Sequence, residues 1–153
     1  MTSVIEQVQS HGVRWGVDAE DWRDLNRTVG DMLVSANLAE PRYVEGMIAN
    51  IEKNGPYLVI APGVALLHAR PEDGAVANGI VMATVKQPVE FGHSANDPVW
   101  LALGLTATGD LDHLDLLRGV AGVLAQQGAL DRLRDAASED EFLTRLRSLE
   151  DTL

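Results

Sequence analysis

Four histidines and no cysteine limit the nucleophiles in this chain of 153 residues. His68 stands at the exit of an apolar run, Val64 to Leu67, with Arg70 two positions on. A run of that kind delivers an imidazole and a guanidinium on a rigid element, which is one way to present a reactive histidine. His113 follows Gly109-Asp110, where Asp110 reads as the cap of a helix, so the imidazole falls in the first turn. Unsatisfied N–H groups and the positive helix end favour an anion there, and the same dipole favours neutral imidazole. A helix N-terminus with a histidine donor would suit a phosphoryl group; the bland alternative is a histidine that caps its own helix. His93 lies in His93-Ser94-Ala95-Asn96-Asp97-Pro98, which is turn chemistry, and reads as a solvated loop residue. His11 reads as a surface residue. A metal site built from His68, His93 and His113 ranks last, because no histidine pair falls at i, i+4. No cofactor is implied.

The elements that must position these residues can be drawn from the pattern. Residues 1 to 17 read as a short strand or arm. Asp18 with Asp21 resembles a capping box, followed by a helix whose stripe is Trp22, Leu25, Val29, Met32, Leu33 and Ala36. Pro41 opens a second helix, lined by Val44, Met47, Ile48 and Ile51 and stopped by Asn54-Gly55-Pro56. Arg42 reads as solvated and Tyr43 as packing. Tyr57 to Ala61 reads as a buried strand, Pro62-Gly63 as a turn, and Val64 to Leu67 as the next strand. After an acidic loop ending at Gly79, Ile80 to Val85 is a buried strand and Pro88 to Phe91 a short edge strand. Val99 to Thr108 is the longest apolar strand. The helix from Asp110 carries Leu114, Leu117, Ala121 and Leu124 on one face. Ala129 to Asp135 is a short helix, and Ser138 with Glu141 caps a last one bearing Phe142, Leu146 and Leu149. Helices, then strands, then helices give an α/β domain: a single domain over 1–153, with a mixed central sheet flanked by helices on both faces in three layers.

Composition bounds the function. Twelve Lys and Arg against 23 Asp and Glu give a net charge of −11, with no basic stripe for nucleic acid or an anionic membrane. The absent cysteines exclude disulfides and thiolate chemistry in this chain. Neither a signal-peptide pattern nor a run near the ~20 apolar residues of a membrane span is present, so a cytoplasmic location is expected.

The segment Gly55-Pro56-Tyr57 … Ala61-Pro62-Gly63-Val64-Ala65 … His68-Ala69-Arg70-Pro71 resembles the active-site segment of the type-2 (mannitol/fructose-like) EIIA domains of the bacterial sugar phosphotransferase system. The similarity continues through Phe91-Gly92, Asn96-Asp97-Pro98-Val99 and Asp112-His113-Leu114, and it is nearest to the ascorbate-type branch. The resemblance implies a phosphotransferase component of the same architecture. It implies that His68 accepts a phosphoryl group from phospho-HPr and passes it to a cysteine of a separate EIIB protein, while His113 stabilises the phosphorylated state. It also implies association with a membrane EIIC component through EIIB rather than insertion of this chain. Neutral imidazole is a good nucleophile near pH 7, and in-line phosphoryl transfer asks for positioning and charge stabilisation without requiring a metal. Two departures stand out. Leu67 occupies the place where the family usually has proline, and the helix before the active strand offers Asn50 and Lys53 where mannitol-type members carry an arginine. Arg70 reads equally as a charge partner or a solvated loop residue. The alternative function is a regulatory or degenerate EIIA-like domain that acts by protein binding, in the manner of the nitrogen-type members. The oligomeric state, a homodimer included, stays open.

Overall fold

The computed structural model describes residues 3–153. Along the chain lie α1 (Val4–His11), β1 (Val13–Val17), α2 (Trp22–Ser35), α3 (Arg42–Asn54), β2 (Val59–Ala61) and β3 (Val64–Leu67). A 3-10 turn over Pro71–Asp73 leads to β4 (Gly79–Val89), β5 (Val99–Thr106), α4 (Asp110–Leu124), α5 (Ala129–Arg134) and α6 (Glu139–Asp151). The five strands form one mixed sheet in the order β1-β4-β5-β3-β2. The pairs β1–β4 and β3–β5 are parallel, and β4–β5 and β2–β3 are antiparallel.

Strand alternation divides the interior in two. Val64, Leu66, Ile80, Met82, Leu101, Leu103 and Leu105 face one core, closed by α1, α4, α5 and α6. Ala65, Leu67, Val81, Ala83 and Ala102 face the other, closed by α2 and α3. The second face is built from small residues because α2 comes close. A Cβ on Gly104 would stand 2.5 Å from Val29 Cγ1, so only glycine fits there. The three-layer α/β arrangement is the one expected, as are the α2, α3 and α6 core residues Leu25, Val29, Met32, Leu33, Val44, Met47, Ile48, Ile51, Phe142, Leu146 and Leu149, all buried.

Several local expectations are corrected. Residues 4–11 are helical rather than a strand or arm: Ser3 Oγ caps α1, and the α6 carboxylate of Glu150 accepts Val4 N–H at 2.6 Å and Ser3 O–H at 2.6 Å. A carboxylate at a helix N-terminus satisfies free donors and complements the dipole, which lets so short a helix stand. His11, in its last turn, is half-buried. Asp21, not Asp18, caps α2, accepting from Asp24 N–H at 2.8 Å, while Asp18 pairs with Lys86. The β2 segment is a half-exposed edge strand, with Ile60 in solvent. Pro88 to Phe91 is no separate strand: β4 runs on to Val89, with irregular register between Thr84 and Val89 that accommodates Pro88. In α4 the buried face is Leu116, Gly119, Val120 and Val123, and Leu114 and Ala121 are exposed. The helix is apolar on more than one side, and the side holding Gly119 is the one that packs. Its cap is Gly109, with Asp110 the first helical residue.

Candidate functional site

The parallel pair β3–β5 sends both of its exits to the same end of the sheet, the end at which open α/β sheets hold ligands. Leu67, paired with Gly104 and fully buried, is the last ladder residue of β3, so the strand stays regular up to His68. Alternation then turns the His68 side chain toward the α4 face, and β5 leads through Ala107 to Gly109 into α4. His68 and His113 meet with ring centroids 5.4 Å apart and planes at 60°. The two histidines singled out in the sequence are thus brought together.

The tautomer of His68 follows from its partners. Leu66 O lies 2.9 Å from Nδ1, so Nδ1 donates its proton to that carbonyl and Nε2 keeps its lone pair, with no hydrogen-bond partner among the described residues. Burial lowers the pKa of the ring from its ordinary 6.5, and the nearby His113 adds to this, against the opposing pull of the Leu66 carbonyl. The imidazole is therefore neutral near pH 7. His113 occupies the first turns of α4, and its N–H bonds Gly109 O at 3.0 Å. Its ring nitrogens make no hydrogen bond among the described residues, so they are free to serve a ligand.

These rings share an open pocket of about 260 Å³ with Asn50, Asn54, Tyr57, Ala69, Arg70, Pro71 and Asp110. Arg70 is exposed, and its backbone N–H binds Asp73 Oδ2 at 3.1 Å. Lys53 lines the adjoining pocket with Arg70 and does not reach the histidine pocket. Asp110 lines the same pocket as Arg70, so the pocket is of mixed charge.

Four polar side chains that the sequence did not single out for this work hold the β3 exit. Asn50 Nδ2 donates to His68 O at 3.2 Å and to the Tyr57 hydroxyl at 3.0 Å. Asn54 Nδ2 in turn donates to Asn50 Oδ1 at 2.8 Å. The Tyr57 ring stands edge-on to His68, centroids 6.4 Å apart. Tyr43 is indeed buried packing, as expected, but its hydroxyl also accepts Ala69 N–H at 3.0 Å and donates to Leu105 O at 2.9 Å. Burial pushes this phenol up to about 12, so it remains a donor. An asparagine in a helix interior, two turns from a tyrosine on the same α3 face, is the available sequence signal.

His93 does not join the site. It lies before β5, at the far end of the strand from the β5 exit that leads to His113, and is half-buried in its loop rather than fully solvated. Its Nδ1 accepts Ala95 N–H at 3.1 Å and Asn96 N–H at 3.0 Å. Among the described residues no three His, Cys, Asp or Glu side chains converge as a metal ion would require. Among the described residues no helix is long and apolar enough to cross a membrane.

Comparison with known proteins bears on what this pocket does. Residues 6–148 match the family of phosphoenolpyruvate-dependent sugar phosphotransferase system EIIA 2 domains. The ascorbate-specific PTS system EIIA component of Escherichia coli strain K12 is 35% identical over 136 residues, covering 88% of each chain. The solution structure of the mannitol-specific cryptic phosphotransferase enzyme IIA CmtB of Escherichia coli superposes with a TM-score of 0.83 at 26% identity, covering 96% of this chain and 99% of that one. The same fold, at 22% identity and a TM-score of 0.77, occurs in the Escherichia coli complex of enzyme IIA of the mannitol system with its phosphorylated enzyme IIB; that match covers 91% of this chain and 95% of the other.

Proposed function

The chain belongs to the EIIA type-2 family of the phosphoenolpyruvate-dependent sugar phosphotransferase system, and from that premise we propose that His68 is its phosphoryl-carrying residue. EIIA components are phosphotransferases that work through histidine, and EIIB is their partner. The observation that carries the assignment is the Nδ1–H bond to Leu66 O, which leaves Nε2 as the nucleophilic nitrogen of a neutral ring.

In the uptake step the Nε2 lone pair attacks phosphorus in phospho-HPr. A new N–P bond forms, and the donor's N–P bond breaks with its electron pair returning to the donor imidazole. Nδ1 keeps its proton throughout, so no general base is needed at His68. His113, with both ring nitrogens uncommitted, donates to a phosphoryl oxygen, and Arg70 supplies charge at the pocket rim. In the second step an EIIB cysteine thiolate attacks the phosphorus, and the electron pair of the N–P bond returns to Nε2. Leu111 and Leu114, exposed on the same first turns of α4 as His113, supply an apolar surface on which either partner docks. The relative at 35% identity is an ascorbate-specific EIIA component, and we assign this chain to a system of that type, working in the cytoplasm and reaching a membrane EIIC component through EIIB.

The test is intact mass after incubation with phosphoenolpyruvate, Enzyme I and HPr, followed by addition of the cognate EIIB. One acid-labile phosphate, absent in His68→Ala and discharged by EIIB, is the expected result. A phosphate that forms but never leaves for EIIB would mark a regulatory domain, and none at all a degenerate one.

A further inference from the structure

We propose that Tyr43 is the positioning residue that sets the spacing of the two histidines, its hydroxyl tying the exit of β3, which carries His68, to the exit of β5, which leads into α4 and His113. The inference rests on the carrier reading of His68. The parallel ladder between the two strands ends at Leu67↔Gly104. Immediately beyond it the backbones must part, one toward the Arg70 loop and the other toward Gly109. There the phenol takes over: it accepts Ala69 N–H at 3.0 Å and donates its one proton to Leu105 O at 2.9 Å, nearer than Ala69 O at 3.2 Å.

The position of the bridge matters more than its strength. Ala69 is the residue after His68, and His68 O is itself held by Asn50 Nδ2 at 3.2 Å. His68 is thus fixed on both sides: Leu67 in the ladder before it, Ala69 on the phenol after it. On β5, Leu105 is the first residue past Gly104, and from it eight residues of chain reach His113. A phenylalanine would fill the same buried space, Tyr43 being 1% exposed, so the hydroxyl is not explained by packing. Nor can it touch a partner protein from that depth. A carrier that must line up one nitrogen for in-line attack and one donor for the phosphoryl oxygen depends on that spacing.

The experiment is Tyr43→Phe in the full chain, which keeps the ring and its burial, beside Ile51→Val as a control that perturbs the same helix and core. Two quantities are read: single-turnover uptake from phospho-HPr, and the ¹⁵N and ¹H resonances of the His68 and His113 rings. Tyr43→Phe should slow uptake at saturating donor by roughly ten- to a hundredfold with an unchanged KM for phospho-HPr. It should also move His68 from a single Nδ1–H tautomer toward a mixture and weaken the cross-relaxation between the two rings. Ile51→Val should do none of this. Unchanged ring resonances in Tyr43→Phe, or equal changes in Ile51→Val, would overturn the proposal. If the wild-type chain takes up no phosphate, the carrier reading falls instead, and the resonances alone decide the role of Tyr43.

Discussion

His68 and His93 are the same side chain set at opposite ends of the sheet, and their Nδ1 atoms have opposite partners. At His68 a carbonyl, Leu66 O, demands a proton on Nδ1 and leaves Nε2 bare. At His93 two amides, Ala95 N–H and Asn96 N–H, demand a lone pair on Nδ1, so the proton of the neutral ring goes to Nε2. The first arrangement suits the nucleophile proposed above; the second makes a brace for a loop that the Asp97 carboxylate also holds, through N–H groups of Phe91, Gly92 and His93 at 2.7 to 3.1 Å. The backbone, by offering a donor or an acceptor, chooses what an imidazole does.

That contrast can be broken most sharply at His68 itself. His68→Ala should abolish the covalent phosphate, seen by intact mass, while circular dichroism stays native; His93→Ala should not reduce it. Next in size, His113→Ala should still become phosphorylated, but uptake and transfer to EIIB should both be about a hundredfold slower, as loss of one transition-state donor would make them; rapid quench with phospho-HPr and then with EIIB reads this. Asp97→Ala should destabilise the fold by about 2–3 kcal/mol, measured in urea, because three amides lose a charged acceptor. The folded fraction should retain its phosphate.

Acid titration sharpens the contrast further. Because burial lowers its pKa, the C2 proton shift of His68 should titrate below 6.5. The sign for stability follows: the unfolded ring binds a proton first, so this contribution is complete above about pH 6.5 and is lost as pH falls through the native value. A His68 midpoint above 6.5 would contradict the buried neutral ring. The smallest effect is His93→Ala, about 1 kcal/mol in urea, confined to its loop by hydrogen exchange.

Much of this was legible because it is local. Asn54-Gly55-Pro56 stops α3 where it should, and the run to Leu67 delivers His68 as expected. The Ser3-to-Glu6 spacing of α1 is also a capping signal, masked by the glycines that follow it. The inner face of α4 could not be read, since Leu114, Leu117, Ala121 and Leu124 offer a stripe as apolar as the one that packs; Leu117 and Leu124 pack only partly against the core, and Leu111 and Leu114, exposed beside His113, suit a partner instead. The grip on the β3 exit is non-local: Tyr43 bonds residues 26 and 62 positions away, and no periodicity encodes that.

The sheet divides the interior into two cores, and the pocket lies on their seam. His68 is braced by α3 from one side, and His113 arrives on α4 from the other. Neither core alone can keep the two rings 5.4 Å apart. The pocket therefore works as a vernier for the whole domain, in which a slight slip of either layer against the sheet is read out as misalignment of one imidazole with the other.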